Sequence, residues 1–131
     1  MKTLLESVED GTLGPLNANR LYAMGISSGG FMTSRMAVSY PGKFRALAVH
    51  SGSYATCSSV CVLPDLPADH PPTLFLHGGQ DFVVPLSVME VYRDALMDLA
   101  VPVQTTVDPD AGHAWLEQGI TDIPAWFRAH P

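Results

Sequence analysis

The sequence predicts a three-layer α/β sandwich built on a small parallel sheet of about four strands. Three observations carry that prediction. Short apolar or β-branched runs bounded by Gly or Pro recur along the chain, as expected of strands buried on both faces. The stretches between them suit crossover helices and are far too long for hairpins. Helix-period apolar faces fall in those stretches, and strands alternating with helices argue a parallel sheet covered on both sides.

In chain order, Leu4, Leu5 and Val8 mark a weak opening helix. The first strand is Leu21 to Met24. A helix follows from Ser28 to Tyr40, with Met32, Met36 and Tyr40 at four-residue spacing and a stop at Pro41-Gly42. The second strand is Phe44 to His50, and the third is Thr73 to His77. Leu86 to Ala100 puts Val88, Val91, Tyr92, Ala95, Leu96 and Leu99 on one helical face. The fourth strand is Val103 to Val107. A last helix carries Ile120, Ile123 and Phe127, with Gly119 and Pro124 leaving its ends unsettled. Between strands two and three, Ser51 to Pro72 holds Pro64, Pro67, Pro71 and Pro72 and is too short for a lid domain. It predicts an open, shallow site with Tyr54 or Trp115 as candidate walls, each of which has ordinary packing as its alternative.

Composition bounds the function. The 131 residues form one domain, residues 1–131, and are enough to bury a core without staples. Hydrophobic residues make up 47% and charged residues 15%, which excludes disorder. A surface so poor in charge is expected to be covered in part by another copy of the chain. The net charge of −6 and the lack of a basic cluster give nucleic acid no footprint. No run approaches the ~18 apolar residues of a spanning helix. The opening Met1-Lys2-Thr3-Leu4-Leu5-Glu6 turns acidic too early for a signal peptide, so the chain reads as soluble and cytoplasmic, with export of a trimmed precursor left open. Cys57 and Cys61 can form a local disulfide or stand as two thiols, the latter favoured in a chain that reads as unexported, and no further ligand pair suggests zinc or another metal.

The chemistry centres on Gly25-Ile26-Ser27-Ser28-Gly29, a G-x-S-x-G pattern between a strand and a helix. A serine that attacks a carbonyl must stand clear of the sheet on a tight turn. Small residues two places before and after it let strand and helix approach. The helix N-terminus then offers backbone N–H groups to a developing oxyanion, that of Ser28 first. A plain Gly-Ser turn is the alternative. His113, in the turn-rich Asp110-Ala111-Gly112-His113-Ala114-Trp115, is the candidate base, because its loop leaves the same sheet end as Ser27. His77 reads as a strand-end structural residue and His50 as a satisfied core histidine. His70 and His130 read as surface residues. Asp81, just past the third strand, is the candidate acid. Asp108 and Asp110 are rivals, but they share a loop with His113 and are better placed to brace it.

Several segments resemble the esterase family of polyhydroxybutyrate depolymerases and feruloyl or acetylxylan esterases. They are Gly25 to Met32, Tyr40-Pro41, Val49-His50-Ser51-Gly52, Phe75-Leu76-His77-Gly78 with Asp81, and Gly112-His113-Ala114-Trp115. The resemblance implies a minimal α/β-hydrolase fold, N-terminally truncated and lacking the strands that come first in full-length members. It also implies no cofactor and carboxylic-ester cleavage through an acyl-enzyme on Ser27, with His113 as base then acid and Asp81 holding its tautomer. The absent region includes a loop that donates one oxyanion N–H. A side chain near Ser51-Gly52-Ser53-Tyr54 is the expected substitute. The edge of strand one is left open, which predicts a two-fold homodimer. Two alternatives stand beside the esterase: a serine peptidase of related motif, and a non-catalytic hydrolase fold serving as a binding or assembly module.

Overall fold

A computed structural model of the protein describes residues 2–131, with side chains from Leu4 onward. Met1, where the leader argument starts, lies outside the described residues. The elements are α1 (Lys2–Glu9), β1 (Leu21–Ile26), α2 (Ser28–Ser39), β2 (Phe44–His50), β3 (Thr56–Cys57), β4 (Cys61–Val62), β5 (Thr73–Gly78), α3 (Leu86–Asp98), β6 (Val103–Asp108) and α4 (Gly119–Arg128). Four strands form one parallel sheet in the order β1-β2-β5-β6. Strands β2 and β5 are central and almost wholly buried, which is why Phe44–His50 and Thr73–Gly78 read as continuous apolar runs rather than alternating ones.

Helices cover both faces. On one face Ala46, Ala48, Leu74 and Leu76 meet Leu116, Ile123 and Trp126 of the α4 region. On the other, Leu47 packs with Leu5, Ala37 and Phe44, and Val49 and Phe75 pack with Met89, Tyr92 and Leu96 of α3. Helix α4 runs through Pro124 because its apolar stripe is held against the sheet. Tertiary packing there outweighs the lost backbone bond.

The segment from Ser51 to Pro72 contains a short antiparallel hairpin, β3–β4, closed by a Cys57–Cys61 disulfide. The pairing corrects the thiol reading. Opposed hairpin residues bring the two cysteines to a Cα separation of 4.0 Å, a proximity that their spacing alone did not reveal. His70 is likewise buried, not exposed. Its Nδ1–H donates to the Pro71 carbonyl at 2.8 Å, and its Nε2 accepts from the Tyr92 hydroxyl at 2.6 Å. A phenol sunk in the α3 core needs a partner, and the Pro-rich loop supplies one. His130 is half-buried against Trp126, with its Nδ1 bonded to the Trp126 carbonyl. Among the described residues no helix is long and apolar enough to cross a membrane. Nor does any group of three or more His, Cys, Asp or Glu there suit a metal ion.

Candidate active site

Each residue of the candidate site stands where a strand ends. Ser27 follows β1 with φ 57°, the left-handed conformation of a sharp turn into α2. Its N–H still bonds β2 through the His50 carbonyl at 2.8 Å, so the turn is anchored on the sheet. Although Ser27 is the N-cap of α2, its hydroxyl makes no capping bond and remains free to face elsewhere.

The turn depends on close backbone approach. A Cβ on Gly25 would lie 2.1 Å from the Gly29 carbonyl oxygen, and one on Gly30 would lie 3.0 Å from that of His50. A Cβ on Gly29 would meet nothing within 4 Å. The tight partners are therefore Gly25 and Gly30, not the motif's second glycine as the spacing suggested.

Asp81 sits in the loop after β5 and is fully buried. Its Oδ1 accepts from the N–H groups of Val83 (2.9 Å) and Val84 (2.8 Å), and its Oδ2 accepts from His113 Nδ1 at 2.7 Å. Burial pushes its carboxyl pKa up. The bonds from His113, Val84 and Val83 together outweigh that and hold it below the ordinary aspartate value. His113 Nε2 lies 2.8 Å from Ser27 Oγ. With Nδ1–H committed to Asp81, Nε2 presents a lone pair to the serine hydroxyl. Ser27, His113 and Asp81 thus form one connected chain. Asp108 and Asp110 are not in it: Asp108 Oδ1 accepts from the Asp110 N–H at 3.0 Å and braces the loop.

The His113 loop is held largely by main chain. A Cβ on Gly78 would fall 2.2 Å from the Gly112 carbonyl and 2.4 Å from that of Ala111. His50, buried one strand over, adds a side-chain brace. Its Nε2 accepts from the Leu116 N–H at 2.9 Å, its Nδ1–H donates to Ser51 Oγ at 2.9 Å, and Trp115 stacks on its ring at 4.8 Å. Burial, then the neighbouring His77 and His113, push its pKa down to about 4 against a small opposing pull from Asp81, so the ring is neutral. His77 is structural, donating from Nε2 to the Val84 carbonyl at 2.7 Å. The bracing role of His50 was legible only as "core histidine". Its contact across 66 residues carries no local signal.

Two expectations are corrected here. Of the hydroxyls near Ser51-Gly52-Ser53-Tyr54, that of Ser53 donates its proton to the Val88 carbonyl at 2.8 Å and accepts from the Ala55 N–H at 3.0 Å, so it has none left for an oxyanion. The buried Ser51 Oγ, by contrast, accepts from His50 Nδ1–H at 2.9 Å. Tyr54 is no site wall, because it packs on Tyr92 beside the α3 core. Trp115 is 43% exposed beside His113 and lines a surface cleft with Asp108 and Ala111. A second cleft of about 220 Å³ runs between the first turn of α2 and the acid loop, lined by Phe31, Thr56 and Val83 among others.

A serine on a turn, a histidine bridging it to a buried carboxylate, and a sheet order of β1-β2-β5-β6 together describe the carboxyl edge of a hydrolase sheet. The sequence agrees: residues 1–130 match the phospholipase/carboxylesterase family. The chain belongs to that family. It is 58% identical over 130 residues to the poly(3-hydroxyoctanoate) depolymerase of Pseudomonas fluorescens, covering 98% of this chain and 47% of that one. A feruloyl esterase B from Thermothelomyces thermophilus is 51% identical over 43 residues, 33% of this chain and 15% of that one. Among solved structures, that of esterase PE8 superposes with a TM-score of 0.76 at 23% identity over 99% of this chain and 60% of that one, which shows the α/β-hydrolase fold. The chain spans about half the length of the depolymerase that it matches.

Proposed function

We propose that the protein is a serine carboxylesterase, one minimal domain over residues 1–131, that hydrolyses short-chain acyl esters without a cofactor. The observation that carries this is the placement of His113, 2.7 Å from Asp81 and 2.8 Å from Ser27. Ser27 Oγ attacks the ester carbonyl carbon while its proton passes to His113 Nε2. The carbonyl oxygen gathers charge beside the Ser28 N–H at the start of α2. The tetrahedral intermediate collapses as His113 returns the proton to the departing alcohol, leaving an acyl group on Ser27. Water deprotonated by His113 then attacks that acyl-enzyme, and Ser27 leaves as the alcohol. Asp81 keeps Nδ1 protonated and stabilises the imidazolium that forms in each half-reaction.

The names of the relatives support an ester as substrate. The acyl preference rests on the small cleft at Phe31 and on a lid region reduced to a hairpin. The test is turnover of a short-chain chromogenic ester by wild type and Ser27→Ala, with the matching amide in parallel. Ester turnover that disappears in the variant is expected. Amide turnover of equal rate would favour a peptidase. A folded wild type that turned over neither would mean a non-catalytic module.

A further inference from the structure

We infer that the disulfide-closed hairpin β3–β4 is the specificity-determining wall of the acyl site, so that the redox state of Cys57 and Cys61 sets the acyl length the protein accepts. The inference rests on the serine carboxylesterase reading and names what tunes that site.

The cleft of about 220 Å³ between α2 and the acid loop lies beside the reacting groups. Phe31 stands one helical turn after Ser27, its N–H bonded to the Ser27 carbonyl at 3.1 Å, so the two share one face of α2. Val83 and Val84 follow Asp81 closely and give it their N–H groups. An acyl chain carried on Ser27 thus has this cleft at hand between nucleophile and acid. Apart from the Thr56 hydroxyl its lining side chains are apolar, which suits a hydrocarbon chain.

Two walls of the cleft are committed to the reaction. Phe31 belongs to the turn that carries Ser27. Val83 and Val84 are tied to Asp81, and the Val84 carbonyl also accepts from His77 Nε2 at 2.7 Å. A change in either wall moves a reacting group. The third wall is Thr56 and Cys57 of β3. Among the described residues no hydrogen bond joins it to Ser27, Asp81 or His113. Acyl selection can vary there without disturbing the chemistry.

That wall is held by its cross-link. The feet of the hairpin are fixed: the Ser53 hydroxyl donates to the Val88 carbonyl at 2.8 Å, Ala55 is buried, and Leu63 packs against the α3 core. Between them the chain pairs only as Thr56 with Val62 and Cys57 with Cys61. Val60 and Val62 are 69% and 59% exposed, so core packing does not hold that arm. A two-stranded ladder is marginal by itself, and this one is very short. The disulfide is therefore what keeps Thr56 and Cys57 against the cleft. Opening it frees the segment to swing outward while Ser27, His113 and Asp81 keep their places.

The experiment measures kcat/KM for p-nitrophenyl esters from acetyl to decanoyl, with the disulfide intact and after reduction without denaturant. Cys57 and Cys61 are the two cysteines of the chain, and Cys61 is exposed, so a thiol reductant has one accessible target. The oxidised protein is expected to favour the short esters. Reduction is expected to lower the butanoyl-to-decanoyl ratio by at least about tenfold, the low end of what one methylene is worth in a hydrophobic pocket. Cys57→Ser combined with Cys61→Ser should reproduce the reduced profile without reductant. Thr56→Trp, which adds bulk to the cleft and keeps the disulfide, should shift the preference towards acetyl; it decides the matter even where a reduced chain unfolds. A chain-length profile unchanged by reduction, in protein that a melting curve shows to be folded, would overturn the inference and leave the esterase intact. So would a folded Thr56→Trp variant of unaltered preference, which would put the acyl chain elsewhere. Wild type that neither turns over ester nor labels with a serine-directed phosphonate would instead overturn the esterase reading, and this inference with it.

Discussion

Replacing Asp81 by Asn separates what the carboxylate does for the fold from what it does for the imidazole. In wild type one oxygen accepts from the Val83 and Val84 N–H groups and the other from His113 Nδ1. An asparagine can satisfy only one of these faces with oxygen. If its oxygen stays on the two backbone donors, its NH₂ points at His113. The ring must then turn its lone pair to Nδ1 and its proton to Nε2, facing Ser27 with no site to receive the hydroxyl proton. The reverse orientation keeps the productive tautomer but sets NH₂ against two buried N–H groups. At ~1–3 kcal/mol for each orphaned donor, the productive orientation lies about 2–6 kcal/mol higher. At 1.36 kcal/mol per decade that is a loss of roughly 30-fold to 10⁴-fold in kcat. KM should stay near its wild-type value and thermal stability should barely change, because the Val83 and Val84 bonds survive. The assay is steady-state ester hydrolysis beside a melting curve. A kcat loss under tenfold, or a loss carried by KM, would refute the tautomer argument.

Gly25→Ala, whose Cβ meets the Gly29 carbonyl at 2.1 Å, should destabilise the fold by about 3 kcal/mol or more, whereas Gly29→Ala should be neutral or stabilise by up to about 1 kcal/mol in urea titrations. His50 is held neutral in the fold and takes up a proton more readily when unfolded. Its contribution to stability is therefore full above pH 6.5 and declines as pH falls towards about 4, by up to about 3 kcal/mol; His50→Gln should flatten that limb in chemical denaturation from pH 7 to 4. Reducing Cys57–Cys61 opens a short loop and should cost about 2 kcal/mol or less by the chain-entropy account, with Ser27-dependent turnover retained under reductant.

Much of the fold was legible because its strands are buried on both faces. Phe44–His50 matches the expected second strand at both ends, and the other three differ only by extending one or two residues at the carboxyl end. Ser27, Asp81 and His113 could be picked out because each lies just past a strand, and a parallel sheet gathers the loops at its strands' carboxyl ends along one edge. The long-range features stayed hidden. The β3–β4 hairpin is too short for periodicity to register, and the burial of His70 comes from the Tyr92 hydroxyl beneath it. The open space beside Gly29 depends on where the helix sits, not on the motif.

The main-chain seating of the His113 loop separates two kinds of sequence change. Gly78 and Gly79 abut the backbone of Ala111, Gly112 and Pro109 so closely that the imidazole is aimed by atoms that every residue shares. The side chains of Glu117 and Gln118, which border the neighbouring cleft, make none of those close backbone contacts. Substrate preference in such a protein can drift through those side chains while the reacting geometry is inherited unchanged, whereas a single methyl group on Gly78 would alter both at once.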